Sequence, residues 1–210
     1  MEINYILYPI IGYLLGSIPT AVWVGKSKYG IDIRQHGSKN AGATNTFRVL
    51  GQKAGIVVLS IDVLKGLVAT VLPLILMPDK LGSDALVNIQ LLSSMACVLG
   101  HVFPIFAHFD GGKGVATSLG VIIGLHPPAA IIALGIFLAI YLATSFVSLG
   151  AIVAAISFPF LLYFRFHVDS VNLILFSSVL SFAVILAHRK NILRLLNHTE
   201  SKMPLFKKKE

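Results

Sequence analysis

Small polar residues and glycines are concentrated in the segment 36–48, which reads HGSKNAGATNTFR. Glycine lets the backbone approach a ligand closely, and short amide and hydroxyl side chains offer hydrogen bonds to oxygen atoms. The arginine that ends the segment can bind a phosphate through two parallel hydrogen bonds. We therefore predict that this segment binds a phosphate group. The candidate ligands are Ser38, Asn40, Thr44, Asn45 and Arg48.

A second candidate is the glycine loop, which we define as residues 111–114, Gly-Gly-Lys-Gly. It leads directly into an apolar helical run, and the N–H groups and positive dipole end at the start of a helix favour an anion. Lys113 adds a full charge, so we predict that Gly111, Gly112, Lys113 and Gly114 also bind phosphate. The GxxxxGK[ST] spacing of nucleotide-binding loops is absent. The alternative is that these glycines only form a tight turn between two membrane helices.

Two further segments place polar residues where helices are expected to end. Ser148 lies in the polar break 144–149, and His188 and Asn191 lie three residues apart, on one helix face, where the last apolar run ends. We predict that Ser148 and Asn191 contact phosphate oxygens. His188 is the candidate general base, because histidine titrates near neutral pH. No CxxC, HExxH or HxxE spacing occurs, so we expect no metal site.

The composition places these segments in a membrane protein. Hydrophobic residues make up 56% of the chain and charged residues only 12%, whereas a soluble domain carries roughly 25% charged residues. Apolar windows of the length needed to cross a bilayer, about 20 residues, fall at roughly 4–24, 55–77, 85–107, 128–146, 148–166 and 170–188. The apolar segment 114–125 is shorter and ends at His-Pro-Pro, so it is either a short crossing helix or a re-entrant one.

The distribution of positive charge favours seven crossings. Of the seventeen lysines and arginines, six lie in 25–54 and seven follow residue 188, whereas the connections 77–84 and 165–169 have one base each. By the positive-inside rule, the 25–54 loop and the C-terminus lie on the cytoplasmic side. The first and last helices then both run inward, which requires an odd number of crossings. We predict seven transmembrane helices, one of them short, with the N-terminus outside and the C-terminus cytoplasmic.

Two charged residues lie inside a predicted span. Asp62 and Lys65 are three apart and share one helix face, so we expect them to face the bundle interior or to pair with each other. Such charges also occur in translocation paths, and a phosphate or organophosphate transporter is therefore the alternative function. Against a transporter, the polar motifs gather on one predicted side of the membrane rather than at its midplane.

The motifs resemble those of a known family. Residues 37–48, 101–117 and 188–196 are similar to the three cytoplasmic motifs of the PlsY family, and 16–20 and 62–66 also match its pattern. The resemblance covers essentially the whole chain. It implies an all-α, polytopic bacterial plasma-membrane enzyme with seven helices. The implied reaction is acyl transfer from acyl phosphate to the sn-1 hydroxyl of glycerol 3-phosphate, giving 1-acyl-glycerol 3-phosphate.

The resemblance also implies roles for residues and partners. The residues it places in the active site are Ser38, Arg48, Lys113, Ser148, His188 and Asn191, with Ser38 and His188 as catalytic residues. It implies no metal, no cofactor and no acyl-CoA or acyl-carrier-protein donor. The expected partners are acyl phosphate, glycerol 3-phosphate and membrane lipids, without nucleic acid. We expect one acyltransferase domain over 1–210, with a basic cytoplasmic tail over 197–210 that ends in Lys207-Lys208-Lys209.

The destination of the hydroxyl proton has two possible answers. Either His188 accepts it, or a substrate phosphate does while His188 and Ser38 orient the hydroxyl and the donor. An acyl-enzyme on Ser38 is not favoured, because no GxSxG motif accompanies it. Three positions depart from the family pattern: Asp110 stands where a base is usual, Ser145-Phe146 where Arg-Tyr is common, and His198 where glycine is frequent.

Overall fold

Residues 2–80 and 83–203, the part of the chain that this computed structural model describes, form helices and turns without strands. The α-helices in this part are α1 Asn4–Gly16, α2 Thr20–Tyr29, α3 Ala43–Leu50, α4 Gln52–Leu76, α5 Asp84–Val102, α6 Val115–Leu125, α7 Pro127–Thr144, α8 Val147–Phe160, α9 Val171–Ala187 and α10 Arg189–Leu196. Three short 3-10 segments, Ile33–Gln35, Pro78–Lys80 and Ile105–Ala107, lie in the connections, and a π-helical turn, Leu161–Arg165, extends α8. The all-α prediction is confirmed.

Every predicted span is helical. Five helical stretches are long and apolar enough to cross a membrane, namely Asn4–Tyr29, Gln52–Leu76, Asp84–Ala107, Pro127–Thr144 and Val147–Arg165. The pair α9 and α10 forms a sixth candidate, with a bend of 60° between the two helices. The short segment 114–125 is the helix α6, which ends before the predicted His-Pro-Pro stop. Whether α6 crosses the membrane, and which way the termini face, stay predictions.

The chain forms two compact units, Met1–Pro127 and Pro128–Glu210. In the first unit, glycines allow α1 to lie directly against α5. A Cβ atom on Gly16 would lie 2.0 Å from the carbonyl oxygen of Cys97, and one on Gly12 would lie 2.3 Å from that of Ser93. The helices α4 and α6 pack in the same way, since a Cβ on Gly120 would lie 1.9 Å from the Val63 oxygen. Small residues at helix contacts are typical of membrane bundles, where close backbone packing stabilises association.

The first span is broken between α1 and α2, which the hydropathy pattern did not predict. Pro19 has no N–H and restricts the residue before it, so the helical hydrogen bonds are interrupted at this point. The carbonyl oxygen of Ile18 instead accepts a hydrogen bond from Lys65 Nζ at 3.0 Å. The predicted ion pair is present as well: Lys65 Nζ lies 2.8 Å from Asp62 Oδ1, and both side chains are buried. Asp62 and Lys65 therefore pair with each other, as expected.

The second unit is built on α7, α8, α9 and α10. Pro127 begins α7, a position where proline is favoured because its missing N–H is not needed. The helices α8 and α9 pack together, and Ser181 Oγ donates to the Ala155 carbonyl oxygen at 2.7 Å. Helix α9 ends at Ala187 and α10 begins at Arg189, so His188 stands at the bend rather than on one continuous emerging helix. The predicted tail residues Lys207, Lys208 and Lys209 lie outside the described residues.

Candidate active site

Asn45, in the first turn of α3, holds the loop that carries Ser38. Its Nδ2 donates to the carbonyl oxygens of Ile33 at 3.1 Å and His36 at 3.0 Å, and its Oδ1 accepts from the Ser38 N–H at 2.8 Å. Gly37 has φ 58°, and a Cβ on it would lie 2.4 Å from Asn45 Oδ1, so only glycine fits there. Both amide hydrogens of Asn45 are thus used inside the loop, which gives this residue a positioning function.

The other predicted ligands of this segment lie nearer the surface. Ser38 is exposed in the loop, Asn40 and Thr44 are half-buried, and Arg48 is exposed in the last turn of α3. Arg48 is therefore accessible to a solute, and its guanidinium can offer two parallel N–H donors. The hydrogen bonds of the Asn45 amide hold the loop that carries Ser38.

Arg34 connects this loop to the turn that precedes the glycine loop. Its Nη1 donates to the Ala107 carbonyl oxygen at 3.0 Å and lies 3.8 Å from Asp110 Oδ2. Its Nη2 and Nε donate to the Asp32 carboxylate at 2.7 and 3.0 Å. The hydrogen bonds from Arg34 hold the pKa of Asp32 far below its usual range, against the opposing effect of burial. The first unit thus brings two of the predicted segments together.

This contact bears on the departure at Asp110. An acidic residue beside the glycine loop weakens the local positive field, and the Asp110 side chain is 68% exposed. Arg34 lies within ion-pair distance and offsets part of that negative charge. Asp32, in turn, is the principal partner of Arg34, and the pKa of Arg34 is raised by their hydrogen bonds. The compensation of Asp110 is therefore partial.

Two residues of the glycine loop are required by packing. The Gly112 N–H donates to the His101 carbonyl oxygen at 3.1 Å. A Cβ on Gly111 would lie 2.2 Å from that same oxygen, and one on Gly112 would lie 2.1 Å from His101 Nε2. A tight fit against the end of α5 therefore explains why glycine stands at both positions.

The end of the glycine loop has the geometry of an anion site. Gly114 adopts φ 79° as the N-cap residue of α6, and as a glycine it has no side chain that could cap the helix. The hydroxyls of Thr117 and Ser118 are buried in its first turn, without a hydrogen-bond partner in residues 2–80 and 83–203. Buried polar atoms are normally satisfied. Uncapped N–H groups, two buried hydroxyls and the half-buried Lys113 thus concentrate donors at one helix start.

In the second unit, the Glu200 carboxylate accepts hydrogen bonds from two of the predicted ligands. Ser148 Oγ and Asn191 Nδ2 both donate to Glu200 Oε1, at 2.8 and 2.7 Å, and Arg194 Nε donates to Oε2 at 2.7 Å. Ser148 and Asn191 are buried. Burial alone would raise the pKa of Glu200, but the three hydrogen bonds outweigh it and lower the pKa. Glu200 is ionised at neutral pH and holds both side chains in place.

His188 is buried at the bend between α9 and α10, 3% exposed. Its Nδ1 lies 2.8 Å from the Val184 carbonyl oxygen. A carbonyl oxygen can only accept, so Nδ1 carries a proton, and in the neutral form of the ring Nε2 is the acceptor nitrogen. This tautomer suits a residue that receives a hydrogen bond from a hydroxyl group.

The segment after α10 is hydrogen-bonded to the last turn of α7 and to the connection between α7 and α8. The Met203 N–H donates to the Ser145 carbonyl oxygen at 2.9 Å, and Tyr141 Oη donates to the Met203 carbonyl oxygen at 2.8 Å. Lys202 lies over the Phe146 ring, 5.6 Å from its centroid. Beside this segment is a pocket of about 330 Å³, lined by Phe146, Leu195, His198, Glu200 and Lys202.

Sequence reasoning missed Glu200 and His101 as residues that hold the predicted ligands. Their partners are distant in sequence: Glu200 binds Ser148, 52 residues away, and His101 contacts Asp62 on another helix. No spacing rule predicts such pairs, although an acidic residue in an otherwise basic segment was a usable signal. Among residues 2–80 and 83–203, no group of three or more His, Cys, Asp or Glu could hold a metal ion.

The helices define a multi-pass integral membrane protein. Residues 6–198 match the family model described as "Glycerol-3-phosphate acyltransferase". The chain belongs to this family.

Curated and solved relatives agree with the family. The glycerol-3-phosphate acyltransferase of Bacillus cytotoxicus is 46% identical over 210 residues, which cover 100% of both chains. Two crystal structures of PlsY, an integral membrane glycerol 3-phosphate acyltransferase, are each 37% identical and cover 95% of both chains. The glycerol 3-phosphate form superposes with a TM-score of 0.86 and the lysophosphatidic acid form with 0.82.

Proposed function

We propose that this chain transfers an acyl group from acyl phosphate to the sn-1 hydroxyl of glycerol 3-phosphate, giving 1-acyl-glycerol 3-phosphate. The observation that carries the proposal is the uncapped start of α6, where Lys113 and two buried hydroxyls accompany the glycine loop. This arrangement suits a phosphate, which both substrates contain. Membership in the acyltransferase family supports the same reaction.

The reaction forms one bond to the acyl carbon and breaks another. The sn-1 oxygen attacks the carbonyl carbon of acyl phosphate, the bond from that carbon to the phosphate oxygen breaks, and inorganic phosphate leaves with the hydroxyl proton. Two anionic headgroups must approach each other, so cations and N–H dipoles lower the barrier by opposing their repulsion. Arg48 and Lys113 supply charge, while Ser38, Asn40, Thr44, Ser148 and Asn191 orient the substrates.

His188 receives the sn-1 hydroxyl through Nε2. The hydrogen bond from Nδ1 to the Val184 carbonyl oxygen fixes the ring in the tautomer that this function requires. The departing phosphate is the proton acceptor, because the dianion that forms as the bond breaks is a base near neutral pH, as phosphate groups in general are (second pKa about 6 in a monoester). His188 is then a catalytic residue that orients the nucleophile rather than the general base.

The test is turnover by the purified protein with acyl phosphate and glycerol 3-phosphate. We expect lysophosphatidic acid and inorganic phosphate in equal amounts. The same assay on His188→Ala is expected to show lower kcat with the neutral-pH limb of the rate profile retained. Loss of that limb would make His188 the base. Absence of product, together with uptake of labelled glycerol 3-phosphate into proteoliposomes, would contradict the proposed reaction and favour a transport function.

We further propose a location and an orientation. The protein lies in the bacterial plasma membrane as one acyltransferase domain over 1–210, with its N-terminus outside and the residues of the reaction on the cytoplasmic side. The positive charge of 25–54 and of the chain after residue 188 supports this orientation. The basic tail 197–210 would then face the anionic headgroups of the inner leaflet.

A further inference from the structure

Four polar side chains with no assigned function are buried in the first unit. This buried cluster consists of Thr20, Asp62, Lys65 and His101, each at most 6% exposed. Asp62 Oδ1 accepts from Thr20 Oγ1 at 3.1 Å, lies 2.8 Å from Lys65 Nζ and lies 3.6 Å from His101 Nδ1. Buried charges are costly unless they are paired, so the cluster holds its members in a defined arrangement.

The buried cluster joins three elements. Lys65 binds the Ile18 carbonyl oxygen at the break in the first span, and Thr20 begins the helix that follows the break. Asp62 and Lys65 belong to α4, and His101 lies in the last turn of α5. The Asp62 carboxylate of α4 therefore lies beside the Nδ1 edge of the His101 ring.

The opposite side of the His101 ring meets the glycine loop. The ring nitrogen Nε2 is so close to Gly112 that a Cβ there would lie only 2.1 Å away, and the His101 carbonyl oxygen accepts the Gly112 N–H at 3.1 Å. His101 thus has the Asp62 carboxylate at one edge of its ring. Its other ring edge and its backbone carbonyl oxygen both contact the glycine loop. The three heavy atoms nearest to that Cβ position all belong to the His101 ring.

The geometry assigns His101 as a positioning residue: oriented by Asp62, it holds the glycine loop in the conformation that binds a substrate phosphate. The phosphate is that of glycerol 3-phosphate or that of the acyl donor. This inference rests on the proposed function, and it adds residues that the reaction does not touch. If the inference is correct, substitution of His101 weakens phosphate binding more than it weakens the stability of the fold.

The test compares His101→Ala, Gly112→Ala and the double variant in the full-length protein. In H101A, we expect the KM for one of the two phosphate substrates to rise about tenfold, because small displacements of binding groups are costly, with kcat changed less than about threefold. The substrate whose KM rises identifies the phosphate. G112A places a methyl group against the ring and is expected to raise the same KM. In the double variant the ring is gone, so the KM is expected to equal that of H101A rather than the product of both effects.

Ser94→Ala is the matched control. Ser94 lies on the same helix as His101 and shares a buried hydrogen bond of 2.8 Å with Thr70 on α4, away from the loop. We expect S94A to lower the melting temperature in detergent without changing either KM. If H101A does not fold, His101→Asn replaces it, because it retains a donor towards Asp62 and lacks the ring edge beside Gly112.

Three results would overturn the inference: KM values unchanged in the folded His101 variant, independent effects in the double variant, or an equal KM change in S94A. A second measurement does not need turnover. Glycerol 3-phosphate and acyl phosphate are each added to the protein, and the rise in melting temperature is compared between the native chain and H101A. Loss of that rise in H101A supports the inference even if no product forms, whereas retention of it refutes the inference independently of the reaction.

Discussion

Glu200 connects three side chains of the second unit through its two carboxylate oxygens. Replacing it with glutamine puts an NH₂ group where one carboxylate oxygen was, and that group cannot accept a hydrogen bond. A hydrogen bond to a charged group contributes about 1.5–3 kcal/mol. We expect Glu200→Gln to lower the free energy of unfolding by about that amount and to reduce activity through Ser148 and Asn191. Thermal unfolding in detergent and the product assay measure the two effects.

The contribution of Glu200 also depends on pH. Its pKa is lower in the folded protein than in the unfolded chain, so the stabilisation is fully present above the unfolded value, about 4.3 for glutamate, and disappears as the pH falls through the folded value. The difference in melting temperature between the native chain and E200Q should therefore shrink as the pH falls below about 4. Arg194→Ala, which removes one donor and leaves the carboxylate, is the control and should cost less than E200Q. A constant difference at all pH values would contradict this account.

At the residue scale, the sequence predicted the kind of chemistry better than it predicted which side chains contact each other. The Asp62–Lys65 pair was predictable because residues three apart on a helix are neighbours. The candidate ligands were found from their types and from the glycines around them. Asn45 was predicted as a ligand, which stays a prediction; its amide also binds the loop backbone, and side-chain type cannot reveal this use. Contacts such as that of Glu200 with Ser148 depend on how helices pack.

At the scale of elements, the turn after α10 explains why glycine would suit position 198. The Thr199 N–H donates to the Arg194 carbonyl oxygen at 2.8 Å, which closes the end of the helix. His198 has φ 56°, in the left-handed region where a residue with a Cβ is strained by about 1–2 kcal/mol. Glycine would adopt this conformation without strain. The conformation of this turn therefore favours glycine at position 198, and this chain tolerates histidine at a cost.

His198→Gly should consequently stabilise the protein slightly. Relief of the strain exceeds the additional entropy that glycine loses on folding, so we expect a net gain of about 0.5 kcal/mol. Asn197→Gly is the matched control, because Asn197 is also exposed but has φ −89°. The control should lose about 0.5–1 kcal/mol. Melting temperatures that fall equally in both variants would contradict the assignment.

Hydropathy predicted the spans but not their interruptions. Each apolar window is helical to within a few residues of its predicted ends, the first as two helices with a break between them, because burying backbone groups in lipid requires a helix. The break before Thr20 depends on Pro19 together with Lys65, which binds the freed carbonyl oxygen. The bend at His188 has no neighbouring proline or glycine that would indicate it in the sequence. Such features arise from tertiary contacts that periodicity does not contain.

At the scale of the whole molecule, the orientation can be tested with single cysteines. The native Cys97 is buried, so the unaltered chain provides a low labelling background. Cysteine at exposed Ser27 or Lys190 should react only from the cytoplasmic side, and cysteine at exposed Asp79 or Asp169 only from outside. The measurement is labelling by a membrane-impermeant maleimide in intact cells and in inverted vesicles.

The same labelling decides whether α6 crosses. With seven crossings, Ser27 and Lys190 share one side, as the positive charges predict. If α6 only enters and returns, every segment after it is inverted, so that Asp169 labels with Ser27 and Lys190 labels with Asp79. That pattern would contradict the seven-helix topology while leaving the fold of each unit unchanged.

The length of α6 has a consequence for the depth of the chemistry. Eleven residues rise about 16 Å, roughly half of a hydrocarbon layer about 30 Å thick. A crossing helix of this length must have an end well below the headgroups, or the bilayer must thin around it. If the glycine loop lies at the end of α6 below the headgroups, glycerol 3-phosphate would enter from the aqueous side. The acyl donor would keep its chain in the leaflet. The two substrates would then meet at the level of the donor carbonyl, and the lipid product could leave sideways.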